Sequence, residues 1–112
     1  MEKEEISYLK EQGFEESPYI CYKNTWTYRA REFELSLNPN ETHTGFLQIE
    51  VFENDGCRTA DVTLVTNNAS NGCEDAIWIL RTSGGSSREA VVKARDALRT
   101  FLENALEQIK SL

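Results

Sequence analysis

The chain has 112 residues, 39% of them hydrophobic and 28% charged, which is enough apolar material to offset chain entropy; this excludes an intrinsically disordered chain and predicts one core spanning 1–112. The formal charge is -7, and the excess lies early: residues 1–85 carry 15 acidic against 7 basic groups, whereas 86–112 carry 4 against 5. Such a surface repels phosphate backbones and anionic membranes, so neither direct nucleic-acid binding nor membrane association is expected.

In chain order, residues 3–12 predict a short helix, with Ile6 and Leu9 on one face, acidic residues in the first turn and Gly13 as the stop. From Phe14 the pattern becomes strand-like: Ile20 and Tyr22, then Trp26, Tyr28 and Ala30, then Phe33, Leu35 and Leu37, until Asn38-Pro39-Asn40 ends it. The parity changes between Ala30 and Phe33, which requires a bulge or break near Arg31 if 25–37 is one strand.

The next segment predicts a hairpin, with strands near 45–54 and 57–66 joined at Asp55-Gly56, a pair suited to a type I′ turn. Pairing Asn54 with Cys57 sets Val51 against Ala60, Ile49 against Val62 and Leu47 against Leu64, an apolar face at three successive pairs. The opposite face, with Phe46, Gln48, Glu50 and Phe52 beside Val65, Thr63, Asp61 and Thr59, is mixed and either wet or met by a partner.

Residues 66–75 consist largely of turn formers and predict a surface loop, followed by a strand near 76–82. Strict alternation there puts Ala76, Trp78 and Leu80 on one side and Ile77 and Ile79 on the other, so both faces need covering. Gly84-Gly85 breaks that strand, and Ser86 with Glu89 has the spacing of a capping box. A helix from Ser87 to Lys110 follows, striped by Val91, Ala94, Leu98, Phe101 and Ala105 with Leu102, Leu106 and Ile109 beside them. At about 36 Å it outruns an eight-residue strand of about 26 Å, so it is expected to overhang its sheet. The fold class is therefore α+β: an antiparallel, meander-like sheet of about four to five strands, with a short N-terminal helix and a long C-terminal helix packed on one face.

Chemistry is sparsely marked. Cys21, Cys57 and Cys73 are an odd set without a CxxC pair, the nearest two sixteen residues apart, and His43 sits in a polar run, so neither a metal site nor a cysteine nucleophile is expected. Those cysteines, a start without an apolar signal region and no long apolar run fit a reducing, cytoplasmic setting in which the sequons at Asn40 and Asn68 are incidental. Gly84, Gly85, Ser86 and Ser87 place glycines and hydroxyls at a helix start, a candidate anion-binding turn whose other reading is ordinary cap chemistry. Glu50 opposite Asp61 is a carboxylate pair that matters for acid–base chemistry only if shielded from water.

No cofactor is implied. Trp26, Tyr28, Phe46, Glu50, Phe52 and Asp61 form the candidate interaction face, aromatic and acidic. The expected function is a non-enzymatic protein–protein interaction module, an inhibitor or adaptor engaging a basic partner surface, with a homodimer as one assembly it can form. The alternative is a small anionic-ligand binder or modest enzyme with a pocket between the sheet and the C-terminal helix.

Overall fold

Seven elements follow one another as α1 (Lys3–Glu11), β1 (Glu15–Glu16), β2 (Thr27–Ser36), β3 (His43–Asn54), β4 (Cys57–Asn68), β5 (Cys73–Gly84) and α2 (Ser87–Lys110). The computed structural model describes residues 3–17, 27–36, 43–54, 56–68 and 73–112. Tyr19, Ile20, Cys21, Tyr22, Trp26, Leu37, the Asn38-Pro39-Asn40 stop and Asp55 lie outside the described residues, as do the side chains of His43 and Cys73.

The five strands form one antiparallel sheet in the order β1-β2-β3-β4-β5, the meander expected from the sequence. Helix α1 stops at Gly13, whose φ of 90° turns the chain so that Phe14 N–H donates back to the Leu9 carbonyl at 2.9 Å. The central hairpin has the expected register, with Val51 opposite Ala60, Ile49 opposite Val62 and Leu47 opposite Leu64, and Gly56 at φ 81° in its turn. The parity slip in β2 is a bulge between Arg31 and Phe33. The extra residue, Glu32, turns toward α2, where its carboxylate accepts from Arg95 Nε at 2.6 Å.

Two expectations are corrected in the second half of the sheet. Residues 66–75 are not one loop: β4 continues to Asn68 and β5 begins at Cys73, with Thr66, Asn67 and Asn68 paired to Asp75, Glu74 and Cys73. Ladder pairing with a neighbour outweighs the turn propensity of these residues. Alternation along β5 also breaks, because the register against β4 slips between Val62 and Thr63, opposing Val62 to Leu80 but Thr63 to Trp78. Ile79 is the extra residue, so Ile79 and Leu80 both pack on the core while Trp78 and Ala76 face away from α2.

The core lies between α2 and the sheet. Ala90, Val91 and Ala94 are fully buried against Ile49, Val51, Ala60 and Val62, with Tyr8, Leu9 and Phe14 closing one side. Small residues on the first half of α2, Ala90 and Ala94 among them, let its backbone approach the strands. Beyond Leu98 no α2 residue is buried, although the helix continues to Lys110, about 18 Å further. The distal half of α2 is thus uncovered, although not for the reason of length: at 12 residues, about 40 Å, β3, β4 and β5 match the helix of about 36 Å.

Polar contacts fix the register between layers. Glu5 of α1 accepts from Arg58 Nε at 3.0 and 3.2 Å, pairs with Arg58 Nη2 at 2.9 Å, and accepts from the Ser87 amide at 3.0 Å. One carboxylate so ties α1, β4 and the start of α2 together, and it is mostly shielded from water.

Candidate functional site

The face of the sheet turned away from α2 carries the exposed aromatic surface. Strand β3 contributes Phe46, Gln48, Glu50 and Phe52, whose cross-strand partners on β4 are Val65, Thr63, Asp61 and Thr59, as the sequence predicts. From β5 come Ala76 opposite Val65, Trp78 opposite Thr63 and Arg81 opposite Asp61. From β2 come Arg29 opposite Glu50 and Arg31 opposite Gln48. The registers of three strands, β3, β4 and β5, thus collect Phe46, Val65, Ala76 and Trp78 into an apolar strip across one end of this face.

That strip borders a groove of about 630 Å3 running from Glu15 at the β1 edge to Ala76 on β5, lined among others by Arg29, Arg31, Phe46, Gln48 and Val65. Arg31 lies over the Phe46 ring at 4.0 Å, a cation–π contact that holds the ring flat on the sheet. Trp78 stands at the groove's margin, 58% exposed. An indole so open on a sheet face with other apolar groups beside it is aromatic area of the kind that interfaces bury.

The charges on this face are partly neutralised internally. Arg81 donates to both Asp61 oxygens, at 2.6 and 2.9 Å, and Arg31 sits 3.7 Å from Glu34. In the groove's lining Glu15 and Asp75 balance Arg29 and Arg31, while on the wider face Glu15, Glu34, Glu50 and Asp61 outnumber Arg29, Arg31 and Arg81 by one. The Glu50 carboxyl is pushed above its ordinary range, first by burial, next by the Asp61 charge, against the opposing pull of Arg29. A half-buried carboxylate of this kind is relieved by a cation delivered from outside.

The residues singled out from sequence divide as follows. Phe46, Glu50 and Asp61 share the open face. Phe52 has the same orientation but is buried, as are its neighbours Thr27 and Thr59, so this end of the face is closed. Tyr28 is placed elsewhere: it pairs with Val51, points toward α2 and is buried in the core, with its hydroxyl pKa raised by burial and then by Glu16. Trp26 lies outside the described residues. Trp78 is the residue the sequence reading left off the face, because assigning it needs the bulge at Ile79.

At the Gly84–Ser87 turn the helix-start amides already have carboxylate partners. Gly85 N–H donates to Glu89 Oε2 at 3.1 Å, Ser87 N–H donates to Glu5 Oε1 at 3.0 Å, and Glu89 N–H donates to Ser86 Oγ at 3.2 Å. Lys93 first, and the Gly85 amide next, hold the Glu89 carboxyl below its ordinary range. A Cβ on Gly84 would meet the Glu89 side chain at 2.9 Å, so this glycine is a packing requirement of the cap. A ligand anion at the turn has to displace two of the protein's own carboxylates. Between sheet and helix, Ala90, Val91 and Ala94 are fully buried, and the space the alternative reading needs lies further along α2, a groove of about 360 Å3 between Phe33 and Leu98 and Leu102.

Cys57 is an exposed free thiol, and among the described residues no three His, Cys, Asp or Glu side chains cluster as metal ligands. No helix is long and apolar enough to cross a membrane. Comparison with protein-family models, with characterised proteins and with solved structures gives no match.

Proposed function

We propose that this chain works by binding another protein, as an inhibitor or adaptor that receives a basic partner surface on the open face of its sheet. The observation that carries the reading is Trp78, more than half exposed beside the apolar strip of Phe46, Val65 and Ala76, on a sheet face where Glu15, Glu34, Glu50 and Asp61 outnumber Arg29, Arg31 and Arg81. The partner's apolar anchor lies against Trp78 and its cations meet Glu50, Glu15 and Asp75. Electrostatic attraction to a chain of net charge -7 speeds the encounter, and the aromatic strip sets the lifetime of the complex. The uneven cysteine set is in keeping with a reducing, cytoplasmic setting, and the same negative charge argues against nucleic acid as the partner.

Affinity capture from the native cell type tests this. A protein retained by the native chain should be lost with Trp78→Ala and weakened at moderate salt. Binding that survives both changes contradicts the reading.

The ligand-binding alternative has less support, since Glu5 and Glu89 occupy the amides of the Gly84–Ser87 turn.

A further inference from the structure

The second half of α2 is a different surface from the open face of the sheet. Its apolar stripe continues past the last buried residue, Leu98, and leaves Phe101, Leu102, Leu106 and Ile109 between 37% and 61% exposed. Phe33 and Leu35 of β2, similarly exposed, border its base. A shallow groove of about 360 Å3 runs there between Phe33 on one side and Leu98 and Leu102 on the other. A soluble helix does not ordinarily present a stripe of this length to water.

We propose that this stripe is a self-association surface, on which two copies of the chain pair the distal halves of their α2 helices antiparallel about a two-fold axis close to Leu106. Two arguments select a second copy as the occupant. The first is area. Taking about 200 Å2 for a large apolar side chain when fully exposed, the exposed fractions of Phe33, Leu35, Phe101, Leu102, Leu106 and Ile109 amount to roughly 560 Å2 per copy. A stable interface covers about 800 Å2 per partner, of which about two-thirds is apolar in a homodimer, so the stripe supplies the apolar share almost in full.

The second argument is charge register. Successive residues of an α-helix turn by about 100°, so Glu103 and Lys110, seven apart, lie on the same flank of the stripe. In an antiparallel pair about a two-fold, like flanks meet, and an axis between Leu106 and Glu107 sets Lys110 of each helix against Glu103 of the other. The pairing is self-complementary, as a two-fold interface requires. In the single chain Lys110 makes only a loose contact with Glu107, at 3.7 Å and largely exposed, so it is available to the copy at little cost.

Sedimentation velocity of the whole chain, from micromolar to several hundred micromolar, tests the proposal, with far-UV circular dichroism to confirm that each variant keeps its helix. The native chain should dimerise across that range, and Leu106→Glu should remain monomeric. Lys110→Glu and Glu103→Lys should each weaken association by about tenfold, because each turns two attractive contacts into repulsive ones. The double exchange should restore it. A native chain that stays monomeric overturns the proposal and leaves the stripe to a partner of another kind. A dimer indifferent to Leu106→Glu overturns it by placing the interface elsewhere, and single charge reversals that the double exchange does not rescue overturn the antiparallel register.

Discussion

The two faces of this sheet are built from the same strands at alternate positions, yet one is dry and the other is open. On the α2 side, Ile49, Val51, Ala60 and Val62 meet Ala90, Val91 and Ala94 at full burial. On the other side, the neighbouring residues Gln48, Glu50, Asp61 and Thr63 stay part-exposed, with Phe46, Val65, Ala76 and Trp78 gathered at one end. The difference teaches that alternate positions of β3 and β4 carry separate tasks, core packing on one face and, on the function proposed above, partner binding on the other. Changes on one face should therefore move melting behaviour and changes at the exposed end of the other should move binding, with crossover confined to the half-buried Glu50 and to the closed end around Thr27 and Phe52.

The sharpest test of that division is on the closed face. Ile49→Ala should cost about 3 to 4 kcal/mol, since a fully buried side chain leaves a cavity that a packed layer fills poorly; chemical denaturation reads it. Next is Glu5→Ala, which leaves the mostly shielded Arg58 and the Ser87 amide short of an acceptor and should cost about 2 to 3 kcal/mol. That loss should appear as detachment of α1, visible as raised hydrogen exchange in residues 3–11. At the closed end of the open face, Thr27 Oγ1 is buried and finds no hydrogen-bond partner among the described residues, so Thr27→Val should stabilise by about 1 kcal/mol. A loss of stability there would mean that the hydroxyl has a role that burial alone does not reveal.

Glu50 gives a pH test with a definite sign. Its folded pKa is raised by burial and by Asp61, so the native state holds this proton more tightly than the unfolded chain does. The ionised carboxylate therefore costs stability at neutral pH, and the cost disappears as pH falls through the raised value. Glu50→Gln should be the more stable protein at pH 7 and lose that advantage under acid conditions, as measured by denaturation at both. A basic partner seated on the face should bring the carboxylate back toward its ordinary range.

Much of this architecture is legible in the sequence where two independent signals agree. The β3–β4 register follows from a two-residue turn and from three apolar pairs that only one alignment satisfies. The start of α2 follows from Ser86 and Glu89, and the β2 bulge from a parity slip in an alternating pattern. Residues 76–80 defeat the same reasoning because every position is apolar, so alternation carries no information and the bulge at Ile79 is invisible. Face assignment suffers from that: Trp78 could not be joined to Phe46, and Tyr28 could not be separated from it, without the strand-to-strand registers. The Glu5–Arg58–Ser87 knot is likewise hidden, since its members lie far apart in the chain and each is an ordinary polar residue by itself.

The smallest expected change in stability belongs to the residue expected to matter most for binding. Trp78→Ala should shift stability by no more than about 0.5 kcal/mol, because the indole is largely in water already. The direct test is acrylamide quenching in a Trp26→Phe variant, where Trp78 is the sole tryptophan, with and without the captured partner. The account predicts an indole that is readily quenched in the free chain and shielded in the complex. An indole quenched equally in both states would contradict the claim that the open face of the sheet is where this protein binds.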